Sequence, residues 1–364
     1  MNRIKVHLER KFSASYDVHI GRNILDRLAL ILSKNGWGSR YFLVTDSLVS
    51  RLHGDRVVGV LGRMGLVVEK IEFPAGEASK NVQTCISMSE QLVERGADRT
   101  SALIALGGGV VGDVTGLVAS IFMRGIPYVQ VPTTLLAQVD SSIGGKTGVD
   151  VPSAKNMLGT FYQPKAVFID IDFLSTLPSR EFTNGLAEIV KYGIIEDPDL
   201  LQDLQSGGEA LHKRDAKFLE TIISRSCRIK KGIVEIDETE RGLRRILNFG
   251  HTVGHAVEAE SSYKLSHGEA VAMGMVAATI LSERLGHLSP RDRDHVLDVI
   301  RHMGLPDRVP AALDTGGILS RLRRDKKKKG ESIHFVLLKK PGMPFVNGGV
   351  PLELVRETIE VMKA

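Results

Sequence analysis

The stretch Ser101-Ala102-Leu103-Ile104-Ala105-Leu106-Gly107-Gly108-Gly109-Val110-Val111-Gly112-Asp113 decides the fold of this chain. Its first half is a short, continuous apolar run typical of a buried strand, and its second half is rich in glycine. Gly107, Gly109 and Gly112 have the G-x-G-x-x-G spacing of a strand–turn–helix unit that binds the pyrophosphate of a dinucleotide. The alternative is a glycine turn that only allows tight strand–helix packing. The preceding strand favours nucleotide binding.

The glycine motif departs from the usual dinucleotide fingerprint in one respect. No acidic residue stands about 20 positions further on, where one would bind the ribose. Asp46 and Glu77, near the ends of earlier predicted strands, are the candidates for that contact.

Further apolar runs at 41–46, 67–73, 128–131 and 166–170 alternate with helix-like segments. Continuous apolar strands that alternate with helices predict a parallel sheet covered on both faces. After about residue 178 helical periodicity dominates, and strand signals nearly vanish until 333–338. We therefore predict an α/β domain of a nucleotide-binding type over 1–178. A mainly α-helical domain with one late strand pair should follow over 179–364. Helices are expected near 184–197, 215–235, 243–260 and 267–285.

Composition is that of an ordinary globular enzyme. The 364 residues favour two domains, and 43% of them are hydrophobic. The net charge of +5 fits an anionic small molecule as well as it fits nucleic acid. The basic run 323–329 has no interleaved aromatic residues and no accompanying nucleic-acid motif, so a nucleic-acid partner is not expected.

Two cysteines, Cys85 and Cys227, make neither a disulfide framework nor a thiolate metal site, which favours a reducing compartment. Residues 1–10 alternate like a strand and lack the apolar core of a signal peptide. The apolar stretches carry many polar interruptions and do not indicate membrane spans. We expect a cytoplasmic protein with no membrane partner.

Arg244, Asn248, His251 and His255 are spaced by four, three and four residues. On one helix they would share one face, while the other positions of the segment are largely apolar. A polar stripe with two histidines on an otherwise apolar helix predicts an internal polar site, because a solvent face would more often carry Lys and Glu.

His251 and His255 have the i, i+4 spacing of zinc-binding helices, and His267 begins the next predicted helix. Thr252 replaces the glutamate of H-E-x-x-H, so the general base of a zinc protease is missing. Three histidines within seventeen residues nevertheless favour a metal site.

A carboxylate would complete such a ligand set. Glu188 lies among apolar neighbours and is the candidate. The alternative is a surface i, i+3 ion pair between Glu188 and Lys191.

The segment 144–148 resembles the tail of a P-loop, but Asp140 stands where that motif needs glycine. A glycine-rich loop with Lys146, followed by Lys155 and Asn156, still suits an anionic ligand. A solvated loop lysine is the alternative for either lysine.

Taken together, these segments closely resemble the 3-dehydroquinate synthase family. The resemblance covers nearly the whole chain, and as an ordered set its motifs are highly specific. The matching stretches are 74–80, 107–113, 122–125, 132–140, 144–148, 155–156, 184–193, 237–258, 267–269 and 325–327.

The resemblance implies an NAD-binding α/β domain, a mainly helical second domain, and a site between them. It implies one zinc ion held by Glu188, His251 and His267, with cobalt or another divalent ion as an alternative. His255 is then a metal-free acid/base candidate, which replaces the interpretation that both i, i+4 histidines bind metal. The family also suggests a homodimer.

The resemblance further implies the substrate 3-deoxy-D-arabino-heptulosonate 7-phosphate. Its contacts map onto Arg124, Asp140, Lys146, Asn156, Lys191, Lys230, Arg244, Asn248 and one lysine after Asp325, either Lys326 or Lys327, with Lys326 favoured. Glu240 matches a family position near the phosphate. The implied NAD contacts are Asp46, Glu77, Lys80, Gly108, Gly109, Val110, Asp113, Thr133, Thr134, Lys155, Phe173, Leu174, Ser175 and Thr176.

The implied reaction is a cyclisation that gives 3-dehydroquinate and phosphate. It comprises transient oxidation by NAD, phosphate elimination, return of the hydride, and an intramolecular aldol step, as part of aromatic amino acid biosynthesis. Three other functions compete with this one. They are a metal- and NAD-dependent polyol dehydrogenase with net redox turnover, a sister cyclase for another sugar phosphate, and a basic nucleic-acid-binding module.

Overall fold

The computed structural model describes residues 14–152, 154–329 and 333–363, with the side chains of 324–329 left out. The predicted N-terminal strand over residues 1–10 lies outside this part. The strands are β1 Asp17–Gly21, β2 Tyr41–Asp46, β3 Val68–Phe73, β4 Ala102–Gly107, β5 Tyr128–Pro132, β6 Lys146–Val151, β7 Ala154–Phe161, β8 Ala166–Asp170, β9 Phe335–Leu338 and β10 Pro344–Asn347.

Within the described residues, six strands form a parallel sheet in the order β1-β8-β5-β4-β2-β3. Alternate residues of β2 and β4 enter two separate cores, because successive side chains of a strand point to opposite faces. Helices cover both faces, which confirms the predicted α/β architecture. The helices of this region are α1 Leu25–Asn35, α2 Ser47–Val49, α3 Asp55–Arg63, α4 Val82–Glu94 and α5 Gly109–Ile121.

From Ser179 onward the chain is mainly helical, and β9 and β10 form the predicted antiparallel pair. The helices are α6 Ser179–Ile195, α7 Pro198–Ser206, α8 Gly208–His212, α9 Ala216–Ile236, α10 His251–Glu260, α11 His267–Arg284, α12 Pro290–His302, α13 Thr315–Lys329 and α14 Leu352–Lys363. In the part of the chain that the structure covers, no helix combines the length and the apolar character needed to cross a bilayer.

The helix predicted over 243–260 is wrong as a single element. Leu243–Asn248 forms a 3₁₀ segment, the chain turns at Gly250 with φ 80°, and α10 begins at His251. The left-handed conformation of Gly250 interrupts the helix, so the four polar residues do not share one helix face.

The glycine-rich loop predicted over 144–148 is wrong from Lys146 onward. β6 and β7 pair as an antiparallel hairpin, so Lys146 opens one strand while Lys155 and Asn156 lie at the start of the other. Strand β1, at the edge of the main sheet beside β8, was not predicted.

Candidate active site

The carboxyl ends of the parallel strands meet at one edge of the sheet. Strand order reverses between β2 and β4, and ligands of open α/β sheets bind at such switch points. Asp46 ends β2, Gly108 follows β4, and Thr133 follows β5. The predicted dinucleotide contacts from these strand ends therefore lie beside one another.

The glycine turn after β4 leaves the start of α5 open. A Cβ on Gly107 would lie 2.5 Å from Cγ2 of Val111, and one on Gly108 would lie 3.0 Å from Cγ2 of Thr134. Among the described residues no side chain caps the N-terminus of α5, so its first N–H groups are available to an anion.

Some of the other residues predicted to contact the cofactor also make contacts that stabilise the fold. The carboxylate of Asp46 caps α2 by accepting hydrogen bonds at 2.9 Å from the N–H groups of Leu48 and Val49. Oγ1 of Thr176 lies 2.9 Å from Nε2 of His53. The side chain of Phe173 is buried in the core beneath the sheet, so a cofactor could reach only its backbone.

A cluster of one carboxylate and two imidazoles lies between α6, α10 and α11. Ligand atoms of Glu188, His251 and His267 lie within 4.8 Å of one another. Nε2 of His251 is 3.7 Å from Oε1 of Glu188, and Nε2 of His267 is 3.5 Å from the same oxygen. The structure thus brings together the three residues predicted to hold a metal ion.

Glu188 is fully buried, and its partner is Lys191 in an i, i+3 ion pair that is itself buried. The surface pair considered as an alternative is therefore excluded. Among the described residues, Oε2 of Glu188 is paired with the ammonium of Lys191, while Oε1 accepts no hydrogen bond. Burial raises the pKa of Glu188, but Lys191, His267 and His251 together outweigh it and hold the pKa below its ordinary value. An ionised, under-coordinated carboxylate facing two imidazole nitrogens fits a divalent cation.

The three histidines of this region have different electrostatic surroundings. The side chain of His255 is exposed on one side, but desolvation by the surrounding protein, and then His267, lower its pKa to about 4. Burial also lowers the pKa of His251. Burial opposes a charge on His267 too, but Glu188 and Glu258 outweigh it and raise its pKa to about 9. The carboxylates thus favour a cation at His267, where a metal ion would compete with a proton.

Close backbone packing sets the positions of the histidines. A Cβ on Gly274 of α11 would lie 1.8 Å from the carbonyl oxygen of Gly250, so α10 and α11 meet without intervening side chains. Ser266 and Glu269 form the predicted capping box at the start of α11. The N–H of Gly268 donates to Oδ1 of Asn184 at 2.5 Å, which fixes this end of α11 on α6.

A second group, rich in buried cations, adjoins the histidine cluster. Nζ of Lys230 lies 2.7 Å from Oδ1 of Asp140, to which the hydroxyl of Tyr192 donates at 2.5 Å. Burial raises the pKa of Asp140, but Lys230 and Lys191 outweigh it and hold the pKa well below its usual range. Asp140 therefore stays ionised and organises the two lysines.

Arg244 is a buried arginine whose hydrogen bonds go to backbone oxygens. Its guanidinium donates to the carbonyl of Gly144 at 3.2 and 3.3 Å and to the carbonyl of Glu238 at 2.5 Å. Within the described part of the chain its Nε has no partner. A buried guanidinium without a carboxylate has unused capacity for an anion.

Three polar residues beside this group, Lys146, Glu240 and Asn248, contact one another. Nδ2 of Asn248 donates to Oε1 of Glu240 at 2.6 Å, and Lys146 forms an ion pair with Oε2 of the same carboxylate. Glu240 has φ 60°, a strained conformation for a residue other than glycine. The structure thus groups three of the predicted substrate contacts.

Two predicted ligand-binding residues on the β6–β7 hairpin, Lys155 and Asn156, are joined to polar residues outside it. Nζ of Lys80 lies 2.6 Å from Oδ2 of Asp113 and donates to Oδ1 of Asn156 at 2.7 Å. Lys155 lies 3.2 Å from Oε1 of Glu77 and 2.9 Å from Oε1 of Glu258. The hairpin therefore connects the sheet end of the site with α10.

Arg124 and the predicted lysine at 326 or 327 are not placed in these groups. Arg124 is exposed after α5 with φ 70°, and no contact described by the structure joins it to the cluster. The side chains of Lys326 and Lys327 lie outside the described residues.

Tyr16, Tyr192 and Glu258 contact this region but were not predicted. Tyr16 accepts a hydrogen bond at 2.9 Å from the N–H of Gly144, beneath Arg244. Tyr192 stands four residues after Glu188, so an i, i+4 search from the predicted ligand would have found it. Glu258 follows His255 by three residues and could have been found in the same way. Tyr16 has no spacing signal, because its contact spans 128 positions.

The chain was then compared with known proteins. The family model for the 3-dehydroquinate synthase N-terminal domain matches residues 70–184, and the model for the C-terminal domain matches residues 185–328. A 3-dehydroquinate synthase of Symbiobacterium thermophilum is 42% identical over 350 residues, which cover 96% of this chain and 98% of that protein.

Two solved structures of sugar-phosphate cyclases are similar throughout. One is the 2-epi-5-epi-valiolone synthase ValA from Streptomyces hygroscopicus subsp. jinggangensis 5008 with NAD⁺ and Zn²⁺ bound. It has a TM-score of 0.90 and 29% identity, over 98% of this chain and 99% of that one. The other is a 2-deoxy-scyllo-inosose synthase with carbaglucose-6-phosphate, NAD⁺ and Co²⁺. It has a TM-score of 0.87 and 28% identity, over 95% of this chain and 96% of that one.

The two family models meet at residue 185 and together span well over half of the sequence. The curated relative matches across nearly the full length of both proteins. The chain belongs to the 3-dehydroquinate synthase family.

Proposed function

We propose that this chain is a 3-dehydroquinate synthase that converts 3-deoxy-D-arabino-heptulosonate 7-phosphate into 3-dehydroquinate and inorganic phosphate. One observation carries the proposal beyond family membership. The carboxylate–imidazole cluster of Glu188, His251 and His267 directly adjoins the buried cations Lys191, Lys230 and Arg244. A substrate with a carboxylate and a phosphate suits such a cationic surrounding next to a metal.

The residues present fit both cofactors. Glu188, His251 and His267 would hold a zinc ion, with cobalt as an alternative, because Glu188 is ionised and its Oε1 accepts no hydrogen bond. The open start of α5 and the end of β2 would hold NAD. When bound, the metal ion would supply a Lewis acid and NAD would supply a reversible hydride acceptor.

The substrate carboxylate is assigned to Arg244, Lys230 and Asn248. Arg244 donates only to backbone carbonyls among the described residues, so its charge is available to a ligand. Lys230 is held in place by its ion pair with Asp140, so its ammonium is already in position before the substrate binds. These residues hold the substrate in one orientation, which is where most of the catalytic advantage of such a site arises.

His255 is assigned to proton transfer. Its pKa of about 4 keeps the imidazole neutral near pH 7, so it can accept a proton. Its ring lies 5.1 Å from that of His251, close to the cluster but outside the proposed ligand set. Glu240, between Lys146 and Asn248, would hold the end of the site near the leaving phosphate.

The reaction is classified as a carbon–oxygen lyase, because a C–O bond to phosphate breaks and no net oxidation occurs. Product should therefore greatly exceed NAD on a molar basis, with phosphate released one-for-one and no build-up of NADH. The test is incubation of the enzyme with the heptulosonate phosphate and substoichiometric NAD. Stoichiometric NADH without phosphate release would overturn the proposal in favour of a dehydrogenase.

A sister cyclase is the nearest alternative, because the two similar structures are named as synthases of other products, a valiolone and an inosose. Glucose 6-phosphate and sedoheptulose 7-phosphate should release no phosphate under the same conditions. Release from either of them, but not from the heptulosonate, would reassign the substrate. The buried Arg244 favours the heptulosonate, since the other two sugar phosphates have no carboxylate to pair with its guanidinium.

Four further assignments belong to the same proposal. The chain is divided near residue 178 into an NAD-binding domain and a metal- and substrate-binding domain. It acts as a homodimer in the cytoplasm, with a small sugar-acid phosphate as its ligand. Sedimentation of the purified protein at twice the chain mass supports the dimer, and a monomer mass contradicts it.

A further inference from the structure

Glu258 is a buried carboxylate to which the proposed reaction assigns no role. Its side chain is 6% exposed, in the last turn of α10. Its two oxygens face different partners. Oε1 lies 2.9 Å from Nζ of Lys155, and Oε2 lies 3.9 Å from Nδ1 of His267. Glu258 therefore stands between the hairpin and the histidine cluster.

The two imidazoles of the proposed metal site are arranged alike. Each directs Nε2 at Oε1 of Glu188 and has an oxygen on its Nδ1 side. For His251 that oxygen is the carbonyl of Phe249, at 3.2 Å from Nδ1. For His267 it is Oε2 of Glu258, at 3.9 Å, so this contact is an ion pair and not a short hydrogen bond. An acceptor behind the nitrogen that does not bind metal fixes the tautomer and the ring orientation of a ligand histidine.

The other oxygen of Glu258 holds a residue assigned to the dinucleotide. Lys155 is at the start of β7, where its ammonium also contacts Oε1 of Glu77 at 3.2 Å and stacks over the ring of Tyr263 at 4.6 Å. Glu258 is the most buried of these partners. It is therefore the contact least screened by water.

A second metal site is the competing interpretation of the same residues. Ligand atoms of His255, Glu258 and His267 also lie within 4.8 Å of one another. Both groups contain His267, so a second ion would have to share its imidazole with the first. A positioning role satisfies both oxygens of Glu258 without that sharing.

We propose that Glu258 is a positioning residue that orients His267 through Nδ1 and holds Lys155 through its other oxygen. One carboxylate thereby fixes a metal ligand and a dinucleotide contact together. This inference rests on the metal and NAD sites of the proposed function, but it does not depend on which sugar phosphate is the substrate.

The test uses the full chain with the substitution Glu258→Gln and cobalt as the metal probe. Cobalt affinity is measured by chelator competition, the visible cobalt bands report the ligand geometry, and NAD binding is measured by calorimetry. We expect cobalt affinity to fall by about 10- to 100-fold, with shifted bands, and NAD binding to weaken. Glu260→Gln is the matched control, because Glu260 lies on the same helix and pairs with Arg321 at 2.9 Å instead. It should leave all three measurements unchanged.

Lys155→Met separates the two contacts of Glu258. It should weaken NAD binding but leave cobalt affinity and the cobalt bands as in the wild type, since Glu258 still faces His267. A purely structural effect of Glu258 would instead reduce the thermal stability of the metal-free protein and change the two affinities together. If Glu258→Gln does not fold, Glu258→Asp replaces it, with a smaller loss of cobalt affinity expected.

Wild-type cobalt affinity and bands in Glu258→Gln would overturn the proposal. So would two cobalt ions per wild-type chain with one lost in Glu258→Gln, which would assign a second metal site. A wild-type enzyme that binds cobalt and NAD but releases no phosphate would refute the proposed function alone, while the cobalt titrations would still test Glu258.

Discussion

The histidine cluster and the β6–β7 hairpin hold adjoining parts of one site by different means. The cluster rests on α10 and α11, whose backbones touch. A Cβ on Gly254 would lie 2.8 Å from the carbonyl oxygen of Ala270. The hairpin is largely exposed along β7, and its functional side chains are held by polar contacts, as Asn156 is by Lys80. Packing tolerates little change, whereas single polar contacts are worth about 1 kcal/mol. The two parts should therefore respond very differently to substitution.

The largest effect should come from the histidine cluster itself. His251→Ala leaves only Glu188 and His267 as protein ligands, and two ligands bind a catalytic metal too weakly to retain it. We expect loss of the metal and of turnover, checked by elemental analysis of the purified variant. Full metal occupancy in His251→Ala would remove His251 from the ligand set.

Substitution of His255 should separate catalysis from metal binding within the same cluster. His255→Ala is expected to keep its metal and to lose about 10²- to 10⁴-fold of turnover, the usual contribution of a general acid–base group. Steady-state rates and metal content are measured on the same preparation. A wild-type rate, or loss of the metal, would contradict the proton-transfer role.

The backbone contact between the helices should dominate stability. Gly274→Ala places a methyl group against the carbonyl oxygen of Gly250, and we expect the free energy of unfolding to fall by about 1–3 kcal/mol or more. Gly232→Ala in α9 is the matched control, because a Cβ there meets nothing within 4 Å. That variant should be as stable as the wild type or up to about 1 kcal/mol more stable. Urea unfolding of both variants checks the difference, and equal midpoints would disprove the close contact.

The smallest effect should come from the hairpin. Asn156→Ala removes one hydrogen bond to Lys80 and puts alanine at a φ of 54°, so we expect kcat/KM to fall by about 10-fold and the free energy of unfolding to fall by no more than about 1 kcal/mol. An unchanged kcat/KM would exclude Asn156 from the substrate site. A large loss of stability would mean that the hairpin is held by packing after all.

Buried strands were the most predictable part of the fold. The runs 41–46 and 166–170 match β2 and β8 residue for residue, because a strand buried on both faces is apolar throughout. β1 was missed because its residues are only partly buried and carry no such run. The hairpin was missed because Gly144, Gly145 and Gly148 are typical of a loop. The break at Gly250 was missed because the polar periodicity continues across it.

The site was predictable where its residues carry a motif. Spacing and family resemblance indicated Glu188, His251 and His267, and the fold brings them together. Tyr16 could not be predicted, because the fold alone brings it to Gly144. Arg124 makes no described contact with the other site residues of its own chain, and its assigned role remains a prediction. Contacts between distant segments depend on packing, which residue spacing does not encode.

Gly250, Gly274 and the capping box of α11 place the two histidines beside Glu188 through contacts that involve no ligand atom. Folding and metal binding should therefore be separate events, unlike in a zinc finger, whose chain folds only when the metal binds. We expect the chelated protein to unfold cooperatively. Added metal should raise its stability only by mass action, about 2.7 kcal/mol at a hundredfold excess over Kd. Non-cooperative melting of the chelated protein would contradict this. A cell short of metal would then accumulate a folded, inactive reserve that regains activity when metal returns, without new synthesis.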